Sequence, residues 1–357
     1  MKKKIVIAVC VVLLLAILIV AIADLNRLKY YVDYPSIKYF DTAVEISGYE
    51  TSQKKFDAVF AEVIGTIEEY HKLFDIYHPY YGMANLYTIN QLNENGEHMV
   101  IKVDRKIIDM LLYAKEMYVK TNGKMNIAMG SVLSIWHDYR DAADSNFGVG
   151  EVPQMDKLKE AAKHTDINNL IIDEENCTVY LADPQMRLDV GAIAKGYAVE
   201  MVAQMLEEKG ISGYTVNIGG NIRTVGLKAN GQKWVAAVEN PLDPKNLPPT
   251  AYIGLEREAI VTSGSYQRYY FDVYGNTYHH IIDGETLMPA EYFVAVSIIC
   301  GHSGMGDGLS TALFCMPLEE GMAIIESLDG VEAMWTFPDG TIVKSSGFSN
   351  YEVEYNP

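Results

Sequence analysis

Residues 188–210 read "LDVGAIAKGYAVEMVAQMLEEKG". The opening "LDV" is short and strand-like, Gly191 breaks the run, and from Ala194 the apolar residues fall at helical spacing until Gly210 closes the pattern. The stretch predicts a strand, a turn and a helix in direct succession. Such a junction also has a chemistry: the free amides of a helix N-terminus favour anions, and here Asp189 and Lys195 flank them. Tight turning alone would account for the glycines, so the charges have to be weighed against the rest of the chain.

The chain has 357 residues, 49% of them apolar, with a formal net charge of −18. That length carries a sizeable core. That charge argues against nucleic acid as a partner, since phosphate contacts need lysine and arginine. At the N-terminus, "MKKK" precedes an uncharged run from Ile5 to Ala23. The run is long enough to cross a bilayer, and the lysines mark its cytoplasmic end. The expectation is a signal anchor over 1–23 (or a signal peptide cut after Ala23), a linker over 24–36 and one exported domain over 37–350. The protein would then be tethered to the outer face of a bacterial cytoplasmic membrane, with a cleaved, secreted form as the alternative. The cysteines, Cys10, Cys177, Cys300 and Cys315, show no metal-ligand spacing and no disulfide framework.

Further along, Phe56, Val59, Phe60, Val63, Ile64, Ile67, Tyr70 and Phe74 share one face of a helix over 52–76. Asp104 caps a second helix. "NLIIDEENCTVYLAD" reads as a hairpin turning at "DEEN", "GYTVNIGGNIRTVG" and "KWVAAVENP" as strands, and a helix runs from near Asp307 towards Leu328 with a break at Pro317. Strand pairs mixed with single helices predict an α+β, layered body.

Three segments carry chemistry. In "GDGLSTALF", Asp307 and Thr311 lie four apart and share a helix face, a hard-oxygen pair suited to Mg²⁺ with water and phosphate. Read alone, Asp307 as a helix cap is the simpler account. In "TYHHIIDGETLMP", His279 and His280 are adjacent on a strand, so one faces inward and the other outward, and an imidazole can take a proton from a hydroxyl near neutral pH. Gly219 and Gly220 in "NIGGNI" would allow close backbone approach to a flat or anionic ligand.

The ordered series "NIAMGSVLSIW", "LDVGAIAKGYAVE", "VNIGGNI", "VTSGSYQRYY", "HHIID" and "GDGLSTALF" closely resembles the ApbE family of FAD:protein FMN transferases, over about residues 37–345. The resemblance implies a flavin-transferase, T-fold-like body. It implies that Asp189 and Lys195 contact FAD, that the carbonyl of Ala192 joins Asp307 and Thr311 as a metal ligand, and that Ala128, Met129, Gly130 and Ile282 lie in flavin-binding stretches. Phe40 and Tyr77 match positions flanking the ring system. His280 matches the general base, with Asp283 beside it as a second catalytic candidate.

The implied reaction moves FMN from FAD, as substrate, to a threonine or serine hydroxyl of a client redox protein, with Mg²⁺ as cofactor and AMP as the leaving group. The alternatives are hydrolysis of FAD to FMN and AMP, and an exported protein that only binds FAD. Two departures from the family stand out. It usually reads D-P-x-T-G-x-P where this chain has "DGETLMP", so Gly284 replaces a proline and Leu287 or Met288 stands where glycine is common. It often has alanine on both sides of Asp307 where this chain has glycine, which predicts added backbone freedom.

Overall fold

The structure, a computed structural model, describes residues 27–96 and 99–355. The expected membrane segment lies outside them. Among the described residues no helix is long and apolar enough to cross a membrane.

An eight-stranded sheet organises a mixed α/β fold. Its strands are β1 (Lys29–Asp33), β2 (Val44–Glu50), β3 (Tyr214–Ile218), β4 (Asn221–Val225), β5 (Ala259–Gly264), β6 (Ala295–Cys300), β7 (Glu332–Thr336) and β8 (Ile342–Lys344). Their order in the sheet is their order in the chain, and every neighbouring pair is antiparallel. Strand β1 falls inside the expected linker and pairs with β2 from Lys29↔Glu50 to Asp33↔Ile46.

The sheet is covered on both sides, and period-two alternation assigns the faces. Val296, Ile298 and Cys300 of β6 join the larger core with the helices, whereas Ile299 packs with Ile253, Leu255 and Phe348 beneath the hairpin Trp234–Val238/Ala251–Leu255. Three helices lie on the first side: α1 (Gln53–Phe74), α2 (Ala194–Glu208) and α3 (Ser303–Phe314). Helix α1 buries the predicted stripe from Phe56 to Phe74. Asp104 caps the helix Arg105–Lys120 through a 2.8 Å bond from the Lys106 amide. Pro317 separates α3 from the helix Leu318–Glu326, as its missing N–H requires.

The structure corrects several expectations. The "LDV" segment is extended but belongs to no sheet. Asn90 stands in for a partner strand: its side chain accepts from the Leu188 amide at 2.8 Å and donates to the Leu188 carbonyl at 2.9 Å. The hairpin turns at Glu174–Cys177, because Asp173 still pairs with Thr178. Helix α3 begins at Ser303, capped by the His302 ring, so Asp307 sits within it instead of starting it. Gly219 (φ 57°) and Gly220 (φ 88°) form the two-residue turn between β3 and β4, a left-handed geometry that glycine adopts without strain, and this accounts for both.

Helices α2 and α3 touch closely because of Gly196. A Cβ there would lie 2.5 Å from the Asp307 Cβ and collide with the Ser303 carbonyl. Gly306 likewise approaches Val261, so this glycine serves packing and not the expected backbone freedom. Gly196→Ala should force the two helices apart and cost about 1–3 kcal/mol, as overpacking does. Denaturant unfolding measures it, and an unchanged midpoint would disprove the contact.

Candidate active site

The N-terminus of α2 has no local cap, since Ile193 precedes it and offers no acceptor side chain. The Gly196 amide donates instead to Asp307 Oδ2 at 2.8 Å, across the helix contact. Lys195 Nζ stands 3.6 Å from the other oxygen, Oδ1, and 3.3 Å from the Gly191 carbonyl. Asp307 is buried, and burial raises its pKa against the opposing pull of Lys195 and the Gly196 amide.

The Gly196–Asp307 bond has a second effect. In a regular helix the Gly196 amide would bond the carbonyl four residues back, that of Ala192. It does not, and no other amide of the described residues takes its place. Helix α3 places Thr311 one turn beyond Asp307, with its hydroxyl 3.4 Å from Ser263 Oγ on β5. A carboxylate, a backbone carbonyl and a hydroxyl are all hard-oxygen donors, the type that Mg²⁺ takes. Among the described residues no three His, Cys, Asp or Glu side chains converge as a metal cluster.

Asp189 lies just before the start of α2. Its amide donates to the Ile127 carbonyl at 2.8 Å, and its Oδ1 accepts from the Gly191 amide at 2.9 Å. Ala128 and Met129 are buried beside it. The Gly130 amide bonds the Arg187 carbonyl at 3.1 Å, so close that a Cβ would meet that oxygen. The remaining Asp189 oxygen faces His137, whose Nε2 is 3.7 Å away, while His137 Nδ1 lies 3.3 Å from the Tyr77 hydroxyl. Lost hydration lowers the His137 pKa and Asp189 draws it up. Sequence reasoning missed His137, which directly follows the "NIAMGSVLSIW" block.

The two histidines separate as alternation predicts. His279 is buried, with Nε2 2.9 Å from the Ala290 carbonyl and Nδ1 accepting from the Ile281 amide at 3.2 Å. Both nitrogens are engaged, which makes it a core residue. His280 is exposed. Its Nδ1 lies 3.3 Å from the Arg268 carbonyl. A carbonyl only accepts, so Nδ1 carries the proton and Nε2 keeps a free lone pair. Crowding by protein strips hydration from the ring and lowers its pKa, and His279, Arg268 and Lys195 push the same way.

Asp283 is buried and spoken for: Oδ1 accepts from the Glu285 amide at 3.0 Å and lies 3.4 Å from Lys124 Nζ. It holds its own turn together. In that turn Leu287, not Met288, adopts φ 62°, so Leu287 occupies the left-handed position a glycine would favour. It is buried there, and its carbonyl accepts from Trp136 Nε1 at 3.0 Å. Ile282 bridges Pro289 across the same turn. Phe40 lies in a tight turn (φ 51°), its amide bonded to His71 Nδ1 at 3.2 Å. Arg268 reaches the neighbouring Asp41 carbonyl at 2.9 Å, joining that turn to the hairpin before His280.

Comparison with known proteins gives the family. The model of the ApbE family matches residues 40–335. The FAD:protein FMN transferase of Treponema pallidum is 32% identical over 270 residues, 72% of each chain. That of Haemophilus influenzae is 27% identical over 319 residues, 87% of this chain and 86% of its own. The crystal structure of the ApbE protein from Thermotoga maritima superposes with a TM-score of 0.77 at 26% identity, covering 91% of this chain and all of the other. The flavin transferase ApbE from Vibrio cholerae gives 0.72 at 25% identity, covering 90% of this chain.

Proposed function

The chain belongs to the ApbE family, and on that premise we propose that it is an FAD:protein FMN transferase that works outside the cytoplasm. In the proposed reaction a threonine or serine hydroxyl of a client redox protein attacks the FMN-side phosphorus of FAD. The bond from that phosphorus to the AMP oxygen breaks, AMP leaves with the electron pair, and FMN remains on the client as a phosphodiester.

The observation that carries this reading is the buried Asp307 carboxylate, with Lys195 Nζ 3.6 Å away, one helical turn before Thr311 and bonded to the Gly196 amide that a regular helix would give to the Ala192 carbonyl. These residues would hold Mg²⁺, which when bound offsets charge on the pyrophosphate. Lys195 adds a positive charge at the same helix end. Asp189, with the backbone at Ala128, Met129 and Gly130, forms the floor that holds FAD, and Phe40, Tyr77 and Ile282 border it. His280 Nε2 accepts the hydroxyl proton. Asp283 keeps the His280 turn in shape. Catalysis of this kind is mainly positioning plus charge neutralisation.

One assay tests the reading. The full-length protein is incubated with FAD, Mg²⁺ and a flavin-acceptor client. Covalent flavin fluorescence on the client is the expected result; free FMN in its place would mean hydrolysis, and intact FAD would mean a binder.

Asp307→Asn keeps an oxygen for the Gly196 amide and removes the charge, so it should fold, melt close to the parent and transfer no FMN. Full transfer by this variant would sink the metal assignment.

For the base, His280→Ala should slow single-turnover transfer by about 10²–10⁴-fold with FAD affinity little changed. His279→Ala should chiefly lower stability. The neutral imidazole is the active form and its pKa is lowered, so kcat/KM should hold as pH falls to 6.5 and decline only below it. A decline centred above 6.5 would assign the acid limb to another group.

The location rests on Lys2–Lys4 and the apolar run Ile5–Ala23. Mass spectrometry of the mature N-terminus should find the run still attached. A chain beginning at Asp24 would replace the anchor with a cleaved signal.

A further inference from the structure

Three hydroxyls lie between β5 and α3, next to Asp307. Ser310 Oγ is 3.0 Å from the Asp307 backbone carbonyl, Ser263 Oγ is 2.8 Å from Ser310 Oγ, and Thr311 Oγ1 is 3.4 Å from Ser263 Oγ. Each hydroxyl owns one proton, so the order of donation follows by elimination. The carbonyl only accepts, so the Ser310 proton goes to it. Ser310 must then accept, so the Ser263 proton goes to Ser310. Ser263 in turn accepts the proton of Thr311. Ser310 is fully buried, which leaves no water to compete for its proton. A threonine inside a helix ordinarily turns its proton back to the carbonyl four residues earlier. Here that carbonyl is Asp307's, and Ser310 holds it; the only side-chain hydrogen bond of Thr311 among the described residues is to Ser263.

We infer that Ser263 is a positioning residue for the cation site: by taking the Thr311 proton it turns the lone pairs of that hydroxyl toward the cation. The inference rests on the reading of Asp307 and Thr311 as cation-holding residues. A neutral hydroxyl can ligate a cation only through its lone pairs, and the groups that orient metal ligands from behind typically govern about 10–100-fold in affinity.

The test is Mn²⁺ binding, followed by the EPR signal of free Mn²⁺, to the full-length protein with saturating FAD and no acceptor. Ser263→Ala should weaken Mn²⁺ binding about 10–100-fold, while Ser263→Thr, which keeps a hydroxyl, restores it. Ser310→Ala, which frees the Ser263 proton to point at Thr311, should weaken binding in the same direction. It replaces Ser263→Ala as the test if that variant shows no cooperative melting in EDTA. Parent-like Mn²⁺ affinity in a folded Ser263→Ala overturns the relay. So does weakening that Ser263→Thr fails to restore, since a packing defect would explain it. If the parent protein binds no Mn²⁺, the cation reading of Asp307 and Thr311 falls first and the relay with it.

Discussion

Helices α2 and α3 cap each other. Asp307 of α3 accepts from the Gly196 amide in the first turn of α2, and Glu200 of α2 accepts from the Ser303 amide, the first of α3, at 2.8 Å. Both carboxylates are buried. A buried charge is tolerated only when paired and hydrogen-bonded, and each of these meets a helix N-terminus, where the amides and the dipole favour a negative group. The exchange needs the helices in contact, and Gly196 is the residue that permits it. Displacing either helix would strand a buried carboxylate and an orphan amide together, so the pair is held from both ends.

The two caps are unequal, and the difference separates structure from chemistry. Glu200 also receives Arg223 Nε at 3.2 Å, a guanidinium as buried as itself, and Gln204 Nε2 at 3.2 Å. Its charge is answered within the protein. Asp307 has a lysine at 3.6 Å, beyond hydrogen-bond length, and its pKa is raised by burial. The one bond that caps α2 therefore does two things: it holds the helix start, and it takes the amide that a regular helix would give to the Ala192 carbonyl.

What could be read from the chain followed from periodicity and spacing. The stripe of α1, the Asp104 cap and the break at Pro317 are local consequences of residue type, and the structure repeats them. Asp307 and Thr311 share a face because they are four apart. The elements hidden from the sequence depend on partners distant in the chain. The "LDV" segment has strand character, yet its partners are the side chain of Asn90, almost a hundred positions away, and the Ile127 carbonyl. Read alone, Asp307 suggests a cap for its own helix; the structure sets it inside α3 and has it cap α2, since only the fold brings Gly196 beneath it. His137 carries no motif and becomes visible only when its helix sets it between Asp189 and Tyr77. Leu287 marks the opposite limit: a left-handed residue without glycine costs on the order of 1 kcal/mol, and only the buried pocket that receives its side chain explains why it is tolerated.

The adjacent histidines divide one task. His279 binds the Ala290 carbonyl and the Ile281 amide and so anchors the end of its hairpin strand in the core. With that residue fixed inward, alternation turns the next one outward. Arg268 then sets its chemistry. The Arg268 carbonyl accepts both the His280 amide at 3.2 Å and Nδ1 at 3.3 Å, which selects the tautomer with a free Nε2. The Arg268 guanidinium meanwhile reaches the carbonyl and the carboxylate of Asp41, one residue past Phe40. One residue thus ties the orientation of the base to the turn that carries Phe40. A shift of that turn would pull on Arg268 and, through its carbonyl, on the imidazole, so the Phe40 turn and the His280 ring are placed as one unit.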